Sequence, residues 1–108
     1  LIELAEYLDE RKRSPFAEWR EGLDAATRVR IEFSLARLRS GNLSAIKGIG
    51  SGLLEMRLDF GPGYRIYLAK EGDRFILLLG GGTKRRQQDD IAAARVRLRE
   101  HQRRKGQK

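Results

Sequence analysis

From Leu54 to Leu68 the chain alternates with period two, and this block limits the fold more than any other feature of the sequence. Leu54, Met56, Leu58 and Phe60 are separated by Glu55, Arg57 and Asp59, the pattern of a strand with one buried and one charged face. Gly61-Pro62-Gly63 follows, offering the Pro-Gly pair that a type II turn prefers. Beyond it Tyr64, Ile66 and Leu68 point one way, while Arg65 and Tyr67 point the other. The block therefore predicts a hairpin that must lay one face on a core. Lys70-Glu71-Gly72-Asp73 makes the next turn, and Phe75–Leu79 is apolar on both faces, as a central strand is. Gly80-Gly81-Gly82 reads as a flexible break.

Upstream of the hairpin, residues 2–8 alternate imperfectly and read as a first strand, with a helix as the alternative. Ser14-Pro15 is a helix start, with Ser as N-cap and Pro at the first helical position. Phe16, Trp19 and Leu23 then give a short helix with one apolar face, and helical spacing makes Trp19 a core residue. Asp24 caps a second helix over about residues 25–40, in which Val29, Ile31, Phe33, Leu35 and Leu38 form a broad apolar face. Gly41-Asn42 stops it. Asp89 and Asp90 open a final helix, where the dipole favours acids, and Ile91, Ala94 and Leu98 give it a narrow apolar stripe. The order strand, helix, helix, three strands, helix predicts a two-layer α+β domain with the helices packed on one face of an antiparallel sheet. A chain of 108 residues has room for one domain, taken as residues 1–102, followed by a frayed basic tail, 103–108.

Several chemistries are excluded. With no Cys and a single His, His101, the chain has no disulfide scaffold, thiol nucleophile, His-based metal site or Ser-His-Asp triad. Gly80-Gly81-Gly82-Thr83-Lys84 lacks the residue order of a phosphate loop, because Thr precedes Lys. Adjacent Asp89 and Asp90 point about 100° apart on a helix and serve a shared metal ion poorly. No metal or other cofactor is expected. There is no membrane-spanning run and no signal peptide, so the expectation is a soluble cytoplasmic protein. The first residue is not methionine, which leaves room for further chain upstream.

What remains is charge. The formal net charge is +8, and residues 84–108 carry ten Lys/Arg against three acids, so the surplus sits on the last quarter of the chain. Arg outnumbers Lys 17 to 6, favouring bidentate contacts to phosphate or carboxylate. Period two also places Arg57, Arg65 and Tyr67 within reach of one another on the sheet face opposite Met56 and Leu58. Lys47 before the hairpin and Lys84-Arg85-Arg86 after it flank that face. The expected surface is open and cationic; its alternative is a solvated face with cross-strand pairs between Glu55 and arginine.

Taken in order, several segments resemble the RelE/ParE toxin superfamily, and more narrowly its HigB-like, phage-derived addiction module killer group. They are Phe16-Ala17-Glu18-Trp19, Arg37-Leu38-Arg39-Ser40-Gly41-Asn42, Gly52 to Leu58, Gly61-Pro62-Gly63-Tyr64-Arg65-Ile66-Tyr67, Leu77 to Lys84, and Gln88 to Ala94. The resemblance implies a RelE-like fold and the toxin half of a type II toxin–antitoxin pair. The commoner activity is metal-independent, ribosome-dependent mRNA cleavage (an mRNA interferase); a minority branch poisons DNA gyrase. It also implies a cognate antitoxin, of the helix-turn-helix HigA-like kind, in a hetero-oligomer, with ribosome and mRNA as the other partners. On this basis Arg65 stabilises the scissile phosphate, Arg57 assists, Lys84 and Arg85 bind the leaving-side phosphate, and Lys47 lies near a further basic position. Two departures stand out: Ile91 falls where a catalytic Tyr or His usually opens the last helix, and Glu55 falls where RelE has a lysine. Glu55, Tyr67 and Lys84 are then the candidates for moving protons. Arg86, Arg103, Arg104 and Lys105 extend the RNA-binding set through counterion release. A basic RNA- or protein-binding module without catalysis is the remaining alternative.

Overall fold

In the computed structural model, which describes residues 1–106, the hairpin has the phase that its alternation dictates. Strands β3 (Leu54–Leu58) and β4 (Tyr64–Lys70) pair antiparallel, with Leu54 opposite Leu68 and Leu58 opposite Tyr64. Before them come β1 (Glu3–Glu6), α1 (Pro15–Glu21), α2 (Ala25–Arg39) and β2 (Ile46–Gly48); after them come β5 (Phe75–Thr83), a 3₁₀ turn (Lys84–Arg86) and α3 (Gln87–Gly106). The domain is α+β, and its five strands lie in the order β1-β5-β4-β3-β2. β1 runs parallel to β5 and every other pair is antiparallel, so the sheet is mixed.

The caps act as the sequence predicts. Ser14 Oγ accepts a hydrogen bond from the Ala17 N–H (3.0 Å) and Pro15 opens α1, while Asp24 Oδ1 accepts from the Thr27 N–H (2.7 Å) at the start of α2. Ser40 ends α2 and Gly41 takes the left-handed conformation beyond it (φ +96°).

Two hydrophobic cores lie back to back across the sheet. On one face Phe16 from α1 and Ile31, Leu35 and Leu38 from α2 bury against Met56, Leu58, Ile66, Leu68, Ile76 and Leu78. On the other, Ala94 and Leu98 of α3 pack with Tyr7, Leu53, Tyr67, Ala69, Leu77 and Leu79. The helices therefore do not share one face, as the two-layer expectation had it: α3 covers the face opposite α1 and α2. The cause is visible in β5, whose apolar residues alternate between the two cores and need cover on both sides. The broad apolar face expected of α2 also divides. Residues two apart on a helix point about 200° apart, so Ile31, Leu35 and Leu38 are buried while Val29 and Phe33 are 54% and 69% exposed.

Gly80, Gly81 and Gly82 are strand, not a break. A Cβ on Gly81 would overlap the Trp19 ring, one on Gly80 would lie 2.6 Å from Arg97 Nη1, and one on Gly82 would overlap the Asp90 carboxylate. The missing side chains are what let α1 and the start of α3 approach β5 from opposite faces. A bulge between Tyr67 and Leu68 in the β4–β5 register adds a residue just before this run. Trp19, as expected, packs against the α1–α2 core.

Nor is there a frayed tail from residue 103. α3 continues to Gly106, Arg103 and Arg104 pair with Glu100, Arg104 Nη1 donates to the Leu8 carbonyl (2.6 Å), and Lys105 Nζ lies 3.2 Å from Glu71. The i, i+3 and i, i+4 spacing from Glu100 holds these cations on the helix. Residues 107 and 108 lie outside the described residues.

Candidate functional site

The register across β2–β5 sets two rows of side chains on the α3 side of the sheet. Lys47, Glu55, Tyr67 and Gly80 form one row; Arg57, Arg65 and Gly82 form the next. Sequence phase thus groups the expected residues correctly, but their exposure differs from expectation. Arg65 is only 4% exposed, Glu55 2% and Tyr67 fully buried, because the first turns of α3 cover them. Arg57 and Lys47 remain exposed at the rim.

Beneath that cover lies an ion pair. Arg65 Nε stands 2.7 Å from Glu55 Oε1. The Nε–H points off the line to the oxygen, so the contact is Coulombic rather than a formed hydrogen bond. Gln87 Nε2 from α3 donates to both Glu55 oxygens (3.2 and 3.4 Å), and Arg65 Nη1 donates to the Tyr64 carbonyl (3.1 Å). A buried pair contributes little net stability, because desolvation offsets the attraction, but each partner fixes the other's position. Glu55 here holds a guanidinium in place. The cross-strand Glu–Arg alternative therefore forms, though buried rather than solvated.

Two polar atoms beside the pair have no hydrogen-bond partner among the described residues: Tyr67 Oη and Asp90 Oδ2. Burial is the main cause that pushes the Tyr67 phenol up to about 12; the negative charges of Glu55 and Asp90 add to it and Arg65 opposes it. Burial likewise raises the Asp90 carboxyl above the usual aspartate value, with Arg86 pulling it back, Asp89 pushing it up and Arg97 pulling it back. Asp90 is thus more than a helix-start device. Its carboxylate fills the space over Gly82. Sequence reasoning missed Asp90 and Gln87 as members of this cluster. The signal was the triple glycine, which in a strand marks close approach by another element.

Cations ring the node. The Lys84 N–H donates to the Gly63 carbonyl (2.7 Å), fixing Lys84 to the hairpin turn, and a Cβ on Gly63 would lie 3.5 Å from both Arg65 Nη1 and Lys84 Cβ. Lys84, Arg85 and Arg86 are exposed in the 3₁₀ turn. Arg103, Arg104 and Lys105 do not join them: sixteen residues of helix separate Arg103 from Gln87, about 24 Å at 1.5 Å per residue. Among the described residues no three His, Asp or Glu side chains converge as a metal site, and no helix is long and apolar enough to cross a membrane.

Fold and node together define an α+β domain with a cationic rim around a buried Glu–Arg–Tyr cluster. No protein-family profile matches the chain. It is 35% identical over 64 residues to a protein of Haemophilus influenzae (strain Rd) described only as uncharacterized, a match spanning 58% of this chain and 65% of that relative's length.

Proposed function

We propose that the chain is the toxin of a type II toxin–antitoxin pair and cleaves mRNA on the ribosome without a metal. The observation that carries this reading is the Arg65 guanidinium, held by Glu55 at the floor of a rim made by Arg57, Lys84 and Lys47. The resemblance of the Tyr64-Arg65-Ile66-Tyr67 strand and its neighbours to RelE/ParE toxins supports it.

RNA cleavage by its own 2′-hydroxyl needs the attacking oxygen aligned with phosphorus and cations placed where charge develops. Arg57, Lys84 and Arg85 are free to take phosphate oxygens at the rim, while Arg65 supplies a preorganised positive charge below them. Among the proton-moving candidates, Glu55 has its oxygens committed to Arg65 and Gln87, which makes it a positioning residue. Tyr67, raised to about 12, stays protonated and acts only as a donor. Lys84 at the rim and Asp90, whose carboxyl holds a proton more readily than an exposed aspartate, are then the groups left to exchange protons. A helix-turn-helix antitoxin with an acidic segment would neutralise the same rim in a cytoplasmic hetero-oligomer.

The burial of Arg65 favours a second reading, a gyrase-poisoning toxin that acts by binding alone, since a guanidinium under α3 meets phosphate only at its outer edge. Mapping mRNA cleavage on translating ribosomes, beside a gyrase supercoiling assay, separates the two. Cleaved mRNA with unaffected gyrase is the expected result; inhibited gyrase with intact mRNA replaces the first reading by the second.

A further inference from the structure

A groove of about 610 Å³ runs between α2 and the end of β3, within the ~300–1,000 Å³ of ligand clefts. Arg30, Phe33 and Arg37 recur at helical spacing along its α2 wall, and Arg57 and Phe60 line the sheet side. The Arg30 guanidinium stacks 4.0 Å from the centroid of the Phe60 ring, and Phe33 is 69% exposed. Among the described residues none of Arg30, Arg37 and Arg57 has an ion-pair partner, and Asp59 is the sole acid in the lining. Arginines without ion-pair partners beside the one exposed ring of the lining, Phe33, suit a single strand of nucleic acid: phosphates meet the guanidinium groups and a base stacks on Phe33.

The groove lies on the α2 face of the sheet and the node on the α3 face, and Arg57 of the rim is common to the two: it lines the groove and stands directly opposite Arg65 in the β3–β4 register. We propose that this groove is a second subsite for single-stranded RNA, holding nucleotides that flank the segment bound at the Arg65 rim. The proposal rests on the RNA-cleaving reading for the identity of that strand. An acidic protein segment would use the charges of the groove but leaves its path into the rim unexplained.

The test is fluorescence anisotropy of the full chain with 2′-O-methyl oligoribonucleotides, which bind but cannot be cleaved, of about four and about twelve nucleotides, the span of known single-strand sites. Arg30→Ala/Arg37→Ala and, separately, Phe33→Ala alter exposed side chains outside both cores. Each is expected to weaken the longer oligonucleotide on the order of ten-fold or more and leave the shorter one unchanged. The double variant is also expected to flatten the dependence of log K on log salt by about 1.4, or ~0.7 per lost phosphate contact. Wild-type affinity and slope in the double variant overturn the proposal, as does loss of binding to a polyglutamate peptide while RNA binding is unchanged. Cleavage by the wild type, read separately on ribosomes, keeps the two readings apart. If mRNA is cleaved and the groove variants bind normally, only the subsite fails; if nothing is cleaved but the variants lose affinity for the longer RNA, the groove stands and the toxin reading fails.

Discussion

Replacing Arg65 by alanine removes one half of an ion pair whose other half, Glu55, is 2% exposed. Period-two phase alone would make this a harmless change on an open face. In the structure it strands a carboxylate under α3 with Gln87 Nε2 as its one remaining donor among the described side chains. Breaking a buried pair in this way costs about 3–5 kcal/mol, a large share of the ~5–15 kcal/mol that holds a small domain together. At roughly 4–8 °C per kcal/mol, the melting temperature is expected to fall by at least about 12 °C. Adding Glu55→Gln to Arg65→Ala removes the stranded charge and should recover half or more of the loss. The assay is a thermal and urea melt of the four proteins in the double-mutant cycle, followed by circular dichroism. A shift below about 1 kcal/mol for Arg65→Ala, additive with that of Glu55→Gln, would refute the buried-pair argument, because coupled neighbours do not add.

Three further outcomes follow from the packing around the node. Gly82→Ala should destabilise the fold by about 1–3 kcal/mol as the new methyl meets the Asp90 carboxylate, and Gly81→Ala should in addition shift the emission of Trp19, the sole tryptophan; unchanged melts for both would show that the glycines admit no close approach. Tyr67→Phe removes a buried hydroxyl that has no partner among the described residues, so stability should hold or rise by up to about 1 kcal/mol; a clear fall in the melt would reveal a partner for that hydroxyl. Asp90 has a folded-state pKa raised by burial, so the stability it contributes is present below its unfolded value of 3.8 and is lost as pH rises through the folded value. Asp90→Asn should therefore melt higher than the wild type at neutral pH, with the gap closing as pH falls toward 3.8, and a gap that widens in acid has the wrong sign.

The residues that share a face were legible in the sequence; what covers each face was not. Alternation put Glu55, Arg57, Arg65 and Tyr67 together correctly, since side-chain period in a strand is fixed by the backbone. It carries no information about whether solvent or a helix lies above them. That information sat elsewhere, in the two-sided apolar run Phe75–Leu79 and in the Ile91, Ala94, Leu98 stripe, which together require a helix on the second face. Gly80–Gly82 were legible as glycines but not as strand, because lack of a side chain signals both a hinge and a close contact. Asp90 was hidden for the same reason: an acid at a helix start already has a sufficient local explanation in the dipole. β2 is three residues long with Lys47 and Gly48 in it, too short and too polar for periodicity to show. The docking of Arg104 on the Leu8 carbonyl, 96 residues away in sequence, has no local signal at all.

The claim on which the functional account depends is that the exposed rim around Arg65 handles the phosphates of a reacting RNA. Arg57 and Lys84 are exposed, and neither belongs to a core, so Arg57→Ala/Lys84→Ala should fold and melt like the wild type. The most direct measurement is the rate of mRNA cleavage on translating ribosomes by this variant and by the wild type at equal concentrations of folded protein. Losing preorganised donors to a developing oxyanion typically costs on the order of 10²–10³ in rate, and the account predicts a loss of at least that size with an unchanged melting curve. Undiminished cleavage by the variant, or no cleavage by the wild type, would contradict it.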